Sequence, residues 1–225
     1  MQSFLSKKFM REEELNQKIE LLHRSFDLEP DLLKSVSSLN KKLEPLSLRI
    51  QKARSEDSGQ LYYGLVNLRE DEAAKLGAEY GLVERQFFKD CLQAILDCET
   101  GEVSSLELLG MNMTSGGSRK KVTEKERLLE KFTKDGWLSS ALGKLYPGPR
   151  TVLELYPHFS ETHSDRVFKC LQCKEVVVRR EICENCEANF HLYCMERLRT
   201  ASEPACPNCS DTPSLAPPYT LHFQI

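Results

Sequence analysis

The residues best equipped for chemistry lie together near the end of the chain, as Cys170-x2-Cys173-x9-Cys183-x2-Cys186-x4-His191-x2-Cys194-x11-Cys206-x2-Cys209. A C-x2-C turn lets two thiolates reach one ion while backbone amides hydrogen-bond the sulfurs, so eight donors in four close pairs are what two tetrahedral zinc sites require. Both sites would be closed to water, which makes the two Zn2+ ions structural. They would also stand in for the hydrophobic core that a unit of about forty-five residues struggles to build. Disulfides are the competing use of paired cysteines, and they belong to oxidising compartments. The opening "MQSFLSKKFMREEEL" has an apolar stretch broken by Lys7 and Lys8 and no small-residue cleavage site, so neither secretion nor a disulfide framework is expected. No apolar run approaches the ~20 residues of a bilayer span, so no membrane association is expected either.

Two wirings are open. Sequential pairs would make two independent loops; in a cross-brace the first and third pairs share one ion and the second and fourth share the other. The C4HC3 spacing resembles that of cross-brace fingers of the RING and PHD classes. On that resemblance Cys170, Cys173, His191 and Cys194 hold a first zinc and Cys183, Cys186, Cys206 and Cys209 a second, with net charges of about -1 and -2 from thiolates set against a divalent ion. PHD fingers that read histone tails usually have an aromatic residue two positions before the seventh ligand, where this chain has Pro204. RING domains that recruit a ubiquitin-conjugating enzyme resemble one another in an apolar residue inside the first pair, a short apolar helix after the third pair and a proline inside the last. The matching residues are Leu171 in "CLQC", Met195 and Leu198 in "CMERLR", and Pro207 in "CPNC". The RING resemblance therefore implies Leu171, Leu198 and Pro207 as contacts for a conjugating enzyme. Many active RING ligases carry Arg or Lys just after the last ligand; Ser210 occupies that place, so weak activity is expected of the chain alone.

The elements that must carry this finger come earlier. Charged residues are 29% and hydrophobic residues 40% of 225, a globular composition, and a net charge of -3 argues neither for nor against nucleic acid. Seven of nine cysteines fall between Cys170 and Cys209, which marks a boundary near residue 165. Leu15, Ile19, Leu22 and Phe26 keep the helical period, as do Leu32, Val36, Leu39 and Leu43 after Pro30. From Pro45 the period becomes that of a hairpin: Leu46, Leu48 and Ile50 alternate, "SEDSGQ" turns and "LYYGLVNL" returns. The order then repeats. A helix over 83–98 places Phe87, Cys91, Ile95 and Cys98 on one face, so both cysteines are expected in the core. "SSLE" (104–107) and "TEKE" (123–126) read as capping boxes opening two more helices. Gly136 reads as a stop, "WLSSALGKLYPG" as two strands around Leu142-Gly143, and "PRTVLELYPHF" as a last helix disturbed at Pro157.

Helices followed by a hairpin, twice, predict a mainly α chain with small β-hairpins: tandem winged-helix domains over 1–80 and 81–160, a C4HC3 RING-like cross-brace finger over 166–212 and a Pro-rich tail over 213–225. Only residues 2 to 10 precede the next helix, so the first domain's opening helix is expected to be incomplete. Winged helices often dock their third helix in the major groove, and Arg119, Lys120 and Lys121, with Lys125 and Lys131 on the following helix, could meet the phosphates of double-stranded DNA. The interleaved Glu124, Glu126 and Glu130 suit protein docking better.

With "GLVNL" (64–68), "KFTKDGWL" (131–138), "LDCETG" (96–101), "HLYC" (191–194) and "EPACPNC" (203–209), the chain resembles the family of the first non-SMC element. That family is the RING-type subunit of the structural-maintenance-of-chromosomes five/six complex. The resemblance covers nearly the whole chain, and the finger spacing is its most specific part. It implies a nuclear, chromosome-associated role in DNA repair. It also implies binding of a MAGE-family subunit and a kleisin subunit, and ubiquitin ligase activity that depends on the MAGE partner. The alternative is a non-catalytic assembly or DNA-binding module of the same complex.

Overall fold

The computed structural model describes residues 4, 7–24, 29, 31–69, 80–112, 114–115, 118–157, 159 and 166–212, and only the backbone of 114, 115, 118 and 119. Strand β1 (Phe9–Arg11) runs into helix α1 (Glu12–Arg24), whose first turn is acidic and last turn basic, as the helix dipole favours. Helix α2 (Leu32–Leu43) is capped by Asp31, whose carboxylate accepts the Lys34 amide at 2.9 Å. Strands β2 (Leu48–Arg54) and β3 (Leu61–Asn67) form the hairpin, and the sheet order is β1-β3-β2. Leu46, expected in the first strand, instead ends a 3-10 turn over Glu44–Leu46 and is exposed, because Pro45 favours the turn and Ser47 then turns back at φ 54°. Phe26 and Pro30 lie outside the described residues. Phe4 is helical and packs with Met10, Leu15, Ile19, Leu43, Ile50 and Tyr63 in the first core.

The second unit has the same plan, with its opening helix long and clear. Helix α3 (Leu82–Asp97) is followed by β4 (Val103–Ser104), α4 (Ser105–Gly110), a small β5 (Thr114–Ser115) and β6 (Ser118–Arg119) ribbon, and α5 (Val122–Lys134). Strands β7 (Leu138–Ala141) and β8 (Lys144–Pro147) complete it, in the order β4-β8-β7. In both units one short strand, two helices and a hairpin close into a three-stranded sheet with the last strand central. This is the winged-helix arrangement, in tandem. Leu142 and Gly143 both have positive φ, 51° and 77°, which gives the two-residue turn the twist of its flanking strands.

Helix α5 starts before the expected cap at Thr123. The Glu124 carboxylate accepts the Lys121 amide at 3.0 Å, so Lys121 is the cap position and Thr123 lies inside the first turn. Phe87, Cys91 and Ile95 are fully buried, and burial pushes the Cys91 thiol up to about 12, an inert core group. Cys98 is only half-buried at the end of α3, its sulfur 3.4 Å from Thr100 Oγ1. Helix α6 (Pro149–Glu154) stops short of Pro157, because Leu155 and Tyr156 turn into the second core. It lies across the first sheet, where Leu153 meets the backbone of Gly64.

The finger follows as β9 (Phe168–Lys169), β10 (Val176–Val177), β11 (Arg180–Ile182), β12 (Asn189–His191) and α7 (Leu192–Arg199). Two antiparallel ribbons, β9 with β10 and β11 with β12, present the ligand turns. Phe190, Val177 and Met195 fill the space between them. Val178 belongs instead to the second winged-helix core, so the finger is packed into its neighbour.

Candidate metal centre and its surroundings

Three of the four ligand pairs sit in tight turns, while His191 ends β12 and Cys194 lies in the first turn of α7. The Lys174 amide bonds the Cys170 carbonyl, Glu187 that of Cys183 and Ser210 that of Cys206, and all three closing residues adopt positive φ. The turns and the start of α7 together place the donor atoms of Cys170, Cys173, His191 and Cys194 within 4.8 Å of one another, and those of Cys183, Cys186, Cys206 and Cys209 likewise. First pair joins third and second joins fourth, the interleaved wiring. A tetrahedral ion with Zn–S bonds of ~2.3 Å sets its sulfurs about 3.8 Å apart. Cys183 and Cys209 are 3.8 Å apart, and Cys186 and Cys206 are 3.7 Å apart.

At the first site His191 Nδ1 lies 3.3 Å from the Cys173 sulfur, while its Nε2 lies 3.0 Å from the Val176 carbonyl. Donation from Nε2–H to that carbonyl leaves Nδ1 with a lone pair for the metal, the usual outer support of a ligating histidine. The Tyr193 ring stacks on the imidazole at 4.9 Å. A hydrogen bond from Cys194 draws the Cys170 thiol down to about 3, and the same bond pushes Cys194 up. Without a cation the clustered sulfurs cannot all ionise; a divalent ion lets them do so. The chemistry of both donor sets fits structural zinc, two ions per chain, and each set is complete with four protein donors.

The finger is held by residues that no motif had singled out. At the tip of the first hairpin the Glu56 carboxylate accepts the amides of Val178 at 2.6 Å and Arg179 at 3.0 Å. Neighbouring Asp57 accepts the Tyr146 hydroxyl at 3.0 Å, and Gly59 leaves room for the Tyr193 ring. From the second unit Glu102 receives Arg179 at 2.8 Å and Lys144 at 2.6 Å, and the Arg179 guanidinium lies 3.9 Å over the Tyr146 ring. Burial raises the Glu56 pKa. It works the same way on Glu102, but Lys144 and Arg179 outweigh it and hold that carboxyl below its ordinary range.

Around the metal, Leu171 and Leu198 are half-buried against the finger core and Pro207 is exposed. Met195, expected with Leu198 on the apolar helix, is 2% exposed and belongs to the core, because α7 turns that face inward. The basic stretch is smaller than expected. Lys125 is buried, its ammonium donating to the carbonyls of Leu109 and Met111, so it cannot reach a phosphate. Lys120 pairs with Glu124, Lys121 is exposed, Lys131 lies over the Tyr80 ring, and the Arg119 side chain lies outside the described residues. Cys91 and Cys98 join neither cluster. Among the described residues no helix is long and apolar enough to cross a membrane.

Fold and site together define a tandem winged-helix protein carrying a RING-like cross-brace zinc finger. Residues 1–116 match the family model described as "Nse1 non-SMC component of SMC5-6 complex", and residues 170–209 match that of a "RING-like domain". The chain belongs to the Nse1 family. It is 32% identical over 177 residues to the "Non-structural maintenance of chromosomes element 1 homolog" of Bos taurus. It is 31% identical over 177 residues to the Homo sapiens protein of that name. In each case the match covers 78% of this chain and 66% of the relative, so the chain spans just under two thirds of those proteins. A solved chain from an "Nse1-Nse3-Nse4 complex" is similar with a TM-score of 0.79 at 27% identity, covering 93% of this chain and 92% of that one.

Proposed function

We propose that this chain is a RING-type E3 ubiquitin ligase subunit of an SMC5-6 complex, acting in DNA repair on chromosomes in the nucleus. Its partners in this reading are a MAGE-family subunit, a kleisin subunit and a ubiquitin-conjugating enzyme. The proposed division is 1–80 and 81–160 for the winged helices and 166–212 for the finger, with 213–225 as a tail.

The observation that carries the reading is the pair of closed, interleaved four-donor sites with Leu171 and Pro207 at the surface. Neither site has room for a reacting water, so the finger acts by placing a partner. It seats the conjugating enzyme so that a substrate lysine amine attacks the ubiquitin thioester. The isopeptide bond forms as the thioester C–S bond breaks, and the proton lost by the amine ends on the departing sulfur, so the enzyme's cysteine leaves as thiol. Leu171, Leu198 and Pro207 are the proposed contacts.

Ser210 in the place of a bridging cation favours a second reading, an assembly or DNA-binding module with no transfer activity, its DNA contacts being Arg119, Lys120 and Lys121. Ubiquitin transfer measured with and without a co-purified MAGE-family partner separates the two. The ligase reading expects stimulation by the partner. It also expects Leu171→Ala to weaken recruitment of the conjugating enzyme by ~1–2 kcal/mol with zinc content intact. Ser210→Arg should raise the rate, since a guanidinium can bridge two polar surfaces. No transfer in any of these conditions leaves the assembly module.

A further inference from the structure

Among the described residues, strand β1 is one edge of its sheet. Its neighbour β3 pairs Phe9 with Gly64 and Met10 with Tyr63, and the Leu65 amide bonds the Lys8 carbonyl directly opposite. Bonded and non-bonded positions alternate along an antiparallel pair. Phe9 therefore turns its own N–H and C=O away from β3. The strand also lines a cleft of about 990 Å3 whose far wall comes from the second winged helix.

Six cations and two carboxylates line the cleft; Arg150 is paired with Glu154 at 2.6 Å and Lys7 with Glu14, which leaves a net positive wall around Arg11 and Lys134. Both carboxylates are already engaged: Glu14 is held by Lys7 at 2.9 Å, and Asp135 accepts the Tyr80 hydroxyl at 2.6 Å. Arg11 is exposed on one wall, its Nε donating to the neutral Tyr62 hydroxyl, with Glu13 and Asp57 also acting on its charge, and Lys134 is exposed on the other, in the last turn of α5. The Phe9 and Tyr62 rings, 5.9 Å apart, add an apolar surface beside the strand.

We propose that the open edge of β1 and the cations facing it form a docking site for an acidic peptide, which adds to the sheet as an extended strand. Backbone pairing at Phe9 gives the peptide its direction, and carboxylates along it reach Arg11 and Lys134, the strand-addition mode of recognition. Residues 213–225 contain no Asp or Glu, so the chain's own tail lacks the required charge. A DNA duplex fits less well. Its closely spaced phosphates would meet Glu12 and Glu13 at the start of α1 beside the strand, whereas a peptide can place its charges in register.

The test uses the zinc-loaded full chain and a fluorescein-labelled peptide of alternating glutamate and valine, on the order of six residues at ~3.3 Å each. Anisotropy titration is expected to show saturable binding that Lys134→Glu weakens by at least about tenfold. N-methylation of alternate peptide amides should weaken it as much, because charge is kept and strand pairing lost. Arg11→Gln provides a second variant, and zinc content and melting temperature check that both fold. Affinity unchanged by both substitutions overturns the proposal. So does equal binding of the N-methylated peptide, and so does a short DNA duplex that binds the same cleft more tightly than the peptide.

Discussion

Glu56 and Arg179, 123 residues apart in sequence, meet where the first hairpin enters the finger: the carboxylate accepts the Arg179 amide at 3.0 Å, beside that of Val178. Glu56 is 1% exposed. The first wing is thus used to hold the zinc finger against the body of the protein, and the surface a free wing would offer to DNA is consumed in doing so.

That relationship gives stability a pH dependence. Burial raises the folded pKa of Glu56, so its contribution is complete below the unfolded glutamate value of about 4.3 and is lost as pH rises through the raised folded value. Glu56→Gln removes this titration while keeping one acceptor. Melting curves should show the variant destabilised by roughly 1–3 kcal/mol in mildly acidic buffer and by less as pH rises. A cost that grows with pH would mean the carboxylate is stabilised as an anion.

Glu102 has the opposite sign. Lys144 and Arg179 hold its folded pKa low, so its contribution is present above about 4.3 and is lost as pH falls through the folded value. Arg179→Met leaves the buried carboxylate with Lys144 alone. The expected loss in denaturant unfolding is about 3 kcal/mol at neutral pH, shrinking toward low pH as Glu102 takes up a proton. An unchanged midpoint would show that the pair contributes nothing.

At Gly101 two constraints coincide. Its φ is +68°, and an added Cβ would run into the backbone carbonyl of Val178. Gly101→Ala should therefore strain its own turn and push the finger away, at a combined cost of ~1–3 kcal/mol. Amide exchange at Val178 and Arg180, the latter bonded to the Thr100 carbonyl at 3.2 Å, reads the finger's docking directly. Wild-type protection there would count against this packing.

Elemental analysis should return two zinc ions per chain, and one would refute the interleaved pair. His191→Ala removes both the Nδ1 donor and the Nε2 link to Val176. During a chelator titration, zinc should leave the first site at lower chelator concentration. The second site should weaken with it, since the turns of the two sites alternate along one stretch of chain.

How much of this was legible beforehand depends on the range over which each feature is written. The zinc donors announce themselves because a tight turn needs its two cysteines two residues apart, and a closed site needs four donors, whatever the rest of the chain does. The paired winged helices were legible for a similar reason. Period 3.6 in Leu15, Ile19 and Leu43, the turn at Leu142-Gly143, and the repeat of that order are local consequences of burying one face of each element.

The failures were also local. Lys125 has the spacing and charge of a phosphate contact, but its stem passes through the core to two carbonyls left open where α4 ends, a destination set by α4 rather than α5. Met195 does lie on the short apolar helix expected after the third pair, and packing with Val177, Phe190 and Tyr193 turns it into the finger core. Glu56 sits in a stretch, "SEDSG", whose composition describes any exposed turn.

What sequence by itself determined was therefore the ligand set, the order of elements and the repeat, all governed by contacts a few residues apart. Tertiary structure decided which winged-helix surfaces remain free, where the finger rests and which carboxylates carry charge. Those depend on amides and guanidinium groups brought together from more than seventy positions away, such as Arg179 to Glu102 at a separation of 77 residues. Once water is excluded there, an unpaired carboxylate is costly, and that cost selects a single docking of the three units.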